Sequence, residues 1–287
     1  MAEKWFDAEF LAQLEQLRVQ FFRHASGQSG GMRRSKYRGV SAEFSDFREY
    51  RPGDDFRRID WNAYARFRRL IMKLFMEERQ MQVHLFLDVS ESMNMQGKLT
   101  MAKQLSAVLA YLALGSYDQA GLYPLGEIPG KRFPMTTGKA SFFRILDYLD
   151  TMAVQKKTNL VQAVQRVSLP MASGTTFLFT DGFTSGGLED VLNYFRYHKQ
   201  DTTLVHILSR EELVPAFDSE MRLVDAESGE KIELEPNASV MHDYQHELTH
   251  FCNQLKEMCY KRGAQYVLIP ADMDIREAVF KQLLQTR

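Results

Sequence analysis

Residues 82–93 read QVHLFLDVSESM, an apolar run that ends in a cluster of one aspartate and two serines. The β-branched and aromatic residues predict a buried strand over 83–88. Much further along the chain, the stretch FLFTDG repeats the arrangement, with an apolar strand that ends at Asp181. Two strands therefore each carry an acidic residue to their carboxyl end, which in an open α/β sheet is the edge where ligands bind.

From Met81 onward, short apolar runs alternate with amphipathic segments. The predicted strands cover 83–88, 120–125, 176–180, 203–208 and 265–269. The predicted helices cover 99–114, 141–152, 160–167, 188–197, 244–261 and 274–284. Strand and helix in turn predict an α/β fold with a mostly parallel sheet and helices on both faces. The stretch MRLVDAESGEKIELE at 221–235 breaks this rhythm, because two alternating runs flank a Glu-Ser-Gly turn, and it predicts an inserted β-hairpin.

The first eighty residues have a different pattern. Residues 7–23 have apolar positions at helical spacing, and the SGQSGG that follows ends this helix. Over 33–79, basic, acidic and aromatic residues interleave, which indicates an extended and weakly regular region. We interpret it as ion pairs and stacked aromatics rather than a docking or phosphate-binding patch, because the acidic side chains neutralise the basic ones. The predicted organisation is an N-terminal helix and extended region over 1–80, packed on an α/β domain over 81–287.

The composition favours one large core, because 287 residues with 45% hydrophobic content can bury a single core with a small addition. A formal net charge of −1 gives no overall attraction to nucleic acid or to anionic lipid. Charges run through the first apolar segment, unlike a signal peptide, and the longest apolar stretch, 107–114, is too short to span a bilayer. These observations predict a cytoplasmic protein without a membrane span or a nucleic-acid partner.

Side chains with hard oxygen atoms gather at the predicted carboxyl edge of the sheet. In the Asp88-x-Ser90-x-Ser92 run, alternate side chains of an extended chain can converge on one point. Asp181 ends a second strand, and Thr158 in the loop KTNL adds a third hydroxyl. Such oxygens suit Mg2+, which takes about six oxygen ligands, and Mn2+ or Ca2+ are alternative occupants. We therefore predict a divalent metal site at Asp88, Ser90, Ser92, Thr158 and Asp181.

The DVSES run, the KTNL threonine and the TDG aspartate together resemble the metal-ion-dependent adhesion site (MIDAS) of the von Willebrand factor type A (VWA) domain. In that family, the serines and the threonine contact the metal, and the aspartates act directly or through water. The resemblance implies a VWA-like, Rossmann-like fold. It also implies that one coordination position of the metal is left for an acidic side chain of a protein partner.

The sequence EFSDFREYRPGDDFRRIDWNAYARFRRLIMKLFMEER at 43–79 leads directly into the first predicted strand of the sheet. It resembles the signature of the bacterial family called domain of unknown function 58. The resemblance continues through SREELVPAFDSEMRLVDAESGEK and covers nearly the whole chain after the first helix. Members of that family are often encoded beside MoxR-type AAA+ ATPases, which implies an adaptor that works with such an ATPase.

A competing zinc-peptidase motif, HELTH at 246–250, lies on a predicted helix. In such enzymes, two histidines at the positions of His246 and His250 bind Zn2+, and a glutamate at the position of Glu247 activates water. A third ligand is required, and Glu257 lies about two turns further along the helix, where it is poorly placed to complete a tetrahedron. A zinc metallopeptidase is therefore the alternative to the function that we predict, a non-catalytic, metal-dependent interaction module.

Overall fold

The computed structural model describes residues 6–25, 43–52, 54–76, 80–128, 130–156, 158–184, 187–215, 221–224, 231–234 and 238–283. The chain divides into two compact units. One unit combines Met1–Gly30 with Met81–Arg287, and the other is Gly31–Gln80. No helix within the described ranges is both long enough and apolar enough to cross a membrane.

The strands, in chain order, are β1 (Glu43–Glu49), β2 (Ile71–Met76), β3 (Gln82–Asp88), β4 (Gln119–Leu125), β5 (Phe133–Thr136), β6 (Gly174–Thr180), β7 (Gln200–Leu208), β8 (Met221–Val224), β9 (Lys231–Leu234) and β10 (Gln265–Pro270). The helices are α1 (Ala8–Ala25), α2 (Trp61–Phe67), α3 (Glu91–Asn94), α4 (Lys98–Gly115), α5 (Ser141–Thr151), α6 (Leu160–Gln165), α7 (Leu188–Tyr197), α8 (Arg210–Leu213), α9 (Ala238–Lys261) and α10 (Ile275–Glu277). Short 3-10 turns lie at Phe56–Arg58 and Met95–Gly97, and a π-helical stretch at Ala278–Leu283 follows α10.

The six-stranded sheet of the larger unit has the strand order β10-β7-β6-β3-β4-β5. Five strands run parallel, and only the edge strand β5 pairs antiparallel with its neighbour β4. The chain passes from β3 to β4 on one side and later returns to place β6 on the other side of β3. The predicted α/β fold with a mostly parallel sheet is confirmed, and the strand order reverses between β3 and β6.

Helices cover both faces of this sheet, because successive side chains of each strand point to opposite faces. Leu85 and Leu87 belong to the hydrophobic cluster that includes α4 and α5. Phe86 belongs to a second cluster with α6, α7 and α9. Its ring stacks on Tyr123 at a centroid distance of 4.7 Å and lies 4.9 Å from the ring of Phe195. The continuous apolar run of β3 is therefore explained by burial on both sides.

Two small elements at the periphery test the finer predictions. The predicted β-hairpin is confirmed, because β8 and β9 pair antiparallel from Met221 opposite Leu234 to Val224 opposite Lys231. The edge strand β5 was not predicted from the sequence. It has four residues and contains Pro134, and a proline within a short run argues against a strand unless that strand lies at an edge.

The smaller unit is more regular than the sequence predicted. Strands β1 and β2 form an antiparallel pair, and α2 between them begins after Asp60, which accepts hydrogen bonds from the backbone N–H groups of Asn62 and Ala63. Arg48 and Asp54 form an ion pair at 2.7 Å, of the kind expected in this region. The described part of this region contains two extended strands, and a local charge pattern does not reveal their pairing, because the strands lie some twenty residues apart.

The first helix groups with the larger unit, whereas the sequence placed it with the region that ends at residue 80. Phe6, Phe10 and Leu14 are buried in the same hydrophobic cluster as β3 and α4. The ring of Phe10 meets that of Phe280 edge to face at 6.0 Å. The apolar stripe of α1 is thus completed by a segment from the other end of the chain, which no local pattern could reveal.

Candidate metal centre

The predicted site residues lie at the carboxyl edge of β3 and β6, where the strand order reverses. Leu87 of β3 pairs with Phe179 of β6, so Asp88 and Asp181 leave neighbouring strands within one residue of the same level. All five predicted ligands are buried, with exposed fractions between 1% for Asp181 and 9% for Ser92. Such a reversal point forms a crevice outside the strand ends, and it is the usual place for a ligand in this class of sheet.

Both carboxylate oxygens of Asp88 are held by hydrogen bonds. Oδ1 accepts from the backbone N–H of Ser90 at 3.0 Å, and Oδ2 accepts from the hydroxyl of Thr180 at 2.8 Å. Burial, with a further contribution from the Asp181 carboxylate, raises the pKa of Asp88 to about 6. Burial and the neighbouring Asp181 carboxylate therefore both disfavour the charged form of Asp88.

The two serines present their hydroxyl groups to each other. Ser90 Oγ and Ser92 Oγ are 3.0 Å apart. Ser90 precedes α3, but its side chain makes no capping hydrogen bond to that short helix. The hydroxyls are therefore directed at each other, beside the Asp88 carboxylate, and their remaining lone pairs are available to a cation.

Thr158 brings a third hydroxyl to the same edge from the loop before α6. Its Oγ1 donates to the backbone carbonyl of Leu125 at 3.3 Å, and Leu125 is the β4 residue paired with Asp88. The next residue, Asn159, caps α6 by accepting from the backbone N–H of Gln162. The cap orients the loop so that the threonine faces the strand ends.

Asp181 is held by three different groups. Its Oδ1 accepts from the backbone N–H of Phe183 at 3.2 Å, and its Oδ2 accepts from Lys98 Nζ at 2.9 Å. Its backbone carbonyl accepts from His206 Nε2 at 2.9 Å, while His206 Nδ1 lies 2.7 Å from the hydroxyl of Tyr266. Burial lowers the pKa of His206 to about 4, so a neutral ring donates to Asp181 and accepts from Tyr266.

Lys98 and Glu212 also lie at the site, and neither was predicted from the sequence. Lys98 is fully buried, and its Nζ contacts Asp181 Oδ2 and, at 2.5 Å, Glu212 Oε1. The one local signal was a lysine at the start of a largely apolar helix segment, KLTMAKQLSAVLAYLALG. Thr180, which precedes Asp181, was also missed, although its hydroxyl holds Asp88.

The donor set fits a hard divalent cation. The five predicted residues offer two carboxylates and three hydroxyls, and every donor atom is oxygen, as Mg2+ prefers. Lys98 pairs with the carboxylates of Asp181 and Glu212, so the formal charges of Asp88, Asp181, Glu212 and Lys98 sum to −2. Asp88, Ser90, Ser92, Thr158 and Asp181 are the residues that would hold the ion.

The alternative zinc site is not supported. On α9, His246, Glu247 and His250 are all exposed. His246 lies beside Glu247, and His250 Nε2 is 2.8 Å from the side-chain amide of Gln254. Across the described part of the chain, no group of three or more His, Cys, Asp and Glu side chains is placed to hold a metal ion. The HELTH motif is therefore a polar stripe of a surface helix.

The turn after Asp181 requires glycine, and this makes a prediction. Gly182 has φ +72°, and a Cβ at this position would lie 3.0 Å from Leu255 Cδ1 and 3.3 Å from Phe251 Cζ. Gly138 has φ +83°, and a Cβ at this position would meet no described atom within 4 Å. Gly138→Ala therefore measures the backbone strain alone. We expect Gly182→Ala to lower the free energy of unfolding in urea by about 1–3 kcal/mol more than Gly138→Ala does. The Gly182 substitution causes both backbone strain and overpacking against α9. Equal costs would contradict the tight contact between this turn and α9.

Comparison with known proteins gives relatives of unassigned function. The uncharacterized protein Rv1480 of Mycobacterium tuberculosis is 27% identical over 118 residues, which are 40% of this chain. This match spans 37% of the relative's own length. Among solved structures, BatB of Bacteroides thetaiotaomicron has a TM-score of 0.45 at 16% identity, over 72% of this chain and 98% of that one. The VWA domain of SpRpn10 has a TM-score of 0.38 at 9% identity, over 69% and 92%.

The predicted cytoplasmic location is wrong in the light of a further neighbour. An aerotolerance-related membrane protein of Bacteroides fragilis has a TM-score of 0.42 at 15% identity, over 69% of this chain and 94% of that one. Net charge and the length of apolar runs do not report where a folded domain resides.

The family resemblance that the sequence suggested is confirmed. The profile of the family described as protein of unknown function DUF58 matches residues 46–251. The match begins in β1 and ends within α9, so it includes most of the smaller unit and every predicted metal ligand. The chain belongs to the DUF58 family.

Proposed function

We propose that this protein is a non-catalytic interaction module that binds its partner through a divalent cation held at the carboxyl edge of β3 and β6. The observation that carries the proposal is the convergence of Asp88, Asp181 and three hydroxyls at one buried strand edge. Burying carboxylates without a compensating cation is costly, and the raised pKa of Asp88 reports that cost. A bound Mg2+ would offset it.

The same geometry supports binding rather than chemistry. The three hydroxyl groups add coordinating oxygens without adding negative charge to the site. The residues of this chain hold the ion from the sheet side. A coordination position that faces outward would accept an Asp or Glu side chain of a protein partner, because hard cations prefer carboxylate oxygen.

A MoxR-type AAA+ ATPase is the partner that we propose, on the basis of the family resemblance. In this arrangement, an acidic side chain of the ATPase would complete the coordination of the ion. Affinity would then depend on the metal, and chelation would release the partner.

Metal binding is tested first by titrating Mg2+ and Mn2+ calorimetrically into metal-stripped protein. We expect Asp88→Asn to weaken binding by about 100-fold or more, because it removes a charged oxygen ligand while keeping the shape of the side chain. Asp243→Asn, the same change at an exposed position of α9, is the control and should bind as the wild type does. Wild-type protein that binds neither ion at millimolar concentration would contradict the proposal.

Partner capture is tested separately with a purified MoxR-type ATPase immobilised on a sensor surface. Wild-type protein should bind in Mg2+ and dissociate on addition of chelator, whereas Asp88→Asn should not bind under either condition. Binding that persists in chelator would argue for a metal-independent interface elsewhere on the molecule.

A further inference from the structure

One cation at the candidate site is already supplied by the chain itself. The side chain of Lys98 is completely buried, and lysine is rarely found so without paired acids. Lys98 is also the first residue of α4, where the positive end of the helix dipole disfavours a second positive charge. The carboxylates of Asp181 and Glu212, at 2.9 and 2.5 Å, compensate for this placement, and the Phe183 ring lies beside the ammonium group with its centroid 5.9 Å away.

Glu212 is held independently of Lys98. It completes a capping box at the start of α8, where its Oε2 accepts from the backbone N–H of Ser209 at 2.7 Å. Its backbone carbonyl accepts from the hydroxyl of Tyr244 on α9 at 2.7 Å. Glu212 therefore has a fixed position, and it draws the Lys98 ammonium toward the β7 side of the site.

Asp181 is consequently shared. Its Oδ2 is occupied by Lys98, while the metal site that we propose uses the same carboxylate. A divalent ion at the strand edge would be repelled by the ammonium group and would compete with it for Asp181. Glu212 reduces this competition, because its carboxylate also pairs with the Lys98 ammonium group.

We infer that Lys98 is a tethered cation that sets the affinity of the site for divalent metal, with Glu212 as the residue that positions it. The inference rests on the proposed function, since it concerns the same site. In the absence of metal, the ammonium satisfies Asp181. In the presence of metal, Lys98 and Glu212 would remain as a neutral ion pair, and the Asp181 carboxylate would bind the ion. Lys98 thereby keeps the affinity low enough for binding to respond to metal concentration.

Two substitutions should shift metal affinity in opposite directions. Lys98→Met removes the competing charge at similar side-chain length, and we expect Mn2+ to bind about tenfold more tightly or better. Glu212→Gln keeps the capping box, which glutamine also forms, but removes the anion that draws Lys98 away from Asp181. We expect Mn2+ to bind several-fold more weakly to this variant, because the ammonium then interacts with Asp181 alone.

The experiment is calorimetric titration of Mn2+ into the full chain, with thermal unfolding in the presence and absence of Mn2+ as a second measurement. Lys103→Met is the matched control, because Lys103 lies on the same helix and donates to the carbonyl of Met152 away from the site. Lys98→Met should show a larger rise in melting temperature with Mn2+ than the wild type does. Lys103→Met should match the wild type in both measurements.

The outcomes separate this inference from the proposed function. Opposite shifts for Lys98→Met and Glu212→Gln support the inference, because a purely structural role would weaken binding in both. Unchanged affinities, or weakening in both variants, overturn it while leaving the metal site intact. Absence of Mn2+ binding in wild type and Lys98→Met overturns both ideas. If Lys98→Met does not fold, Glu212→Gln decides alone, and binding as tight as that of the wild type or tighter overturns the inference.

Discussion

Phe10→Ala is expected to lower the free energy of unfolding by about 3–5 kcal/mol, the cost of truncating a fully buried phenylalanine. Phe10 is 1% exposed, and the centroid of its ring lies 5.4 Å from that of Phe6 and 6.0 Å from that of Phe280. Removing it opens a cavity between α1 and the π-helical stretch near the C-terminus, and neither element can close that cavity without losing other contacts. Chemical denaturation monitored by circular dichroism measures the change.

Gln16→Ala is the control for this prediction, because residue 16 lies on the exposed face of the same helix. It should change stability by less than about 0.5 kcal/mol, as surface substitutions usually do. A small effect of Phe10→Ala as well would mean that α1 adds little to the stability of the α/β unit. A large effect would show that the N-terminal helix folds as part of the α/β unit.

Acidification from pH 6.5 to pH 4 is expected to cost about 3 kcal/mol of stability through His84 alone. His84 is buried in the centre of β3, where burial lowers its pKa to about 4. The unfolded chain takes up a proton below about pH 6.5, whereas the folded chain does so only near pH 4. Between these values the unfolded state binds more protons, so stability falls as the pH falls.

The histidine environment suggests a variant that isolates this effect. His84 Nδ1 lies 3.2 Å from the hydroxyl of Tyr123, and its buried Nε2 has no hydrogen-bond partner among the residues that the structure describes. His84→Asn keeps an amide near the Nδ1 position but cannot take up a proton. We expect a shallower loss of unfolding free energy between pH 6.5 and 4, whatever the stability at neutral pH.

His242→Asn makes the same change on an exposed histidine of α9 and should leave that slope as in the wild type. His206 is a second buried histidine whose pKa burial lowers to about 4, so some acid sensitivity should remain in His84→Asn. An identical slope in His84→Asn and wild type would contradict a neutral, buried His84.

The residues of the predicted metal site were recognisable because the sequence pattern around each of them is local. Alternation in the Asp88-x-Ser90-x-Ser92 run and a strand that ends at Asp181 are properties of adjacent residues, and parallel strands necessarily place their carboxyl ends at one edge. Thr158 was predicted as a third hydroxyl from the loop KTNL, and it is also part of the resemblance to the MIDAS. Its anchoring to the carbonyl of Leu125 is visible only in the folded chain.

By itself, the sequence determined the alternation of strands and helices, the inserted hairpin, the family and the acidic strand ends, because each depends on residues close along the chain. Only the tertiary structure decided that Lys98 enters the candidate site. Lys98 meets Asp181 and Glu212 across 83 and 114 residues. It likewise decided that α1 packs beside Phe280 and that residues 43–76 form a strand pair with a capped helix. These features depend on the energy of burying distant groups together, and a buried ammonium or aromatic ring finds its partner by the geometry of the folded chain rather than by spacing along it.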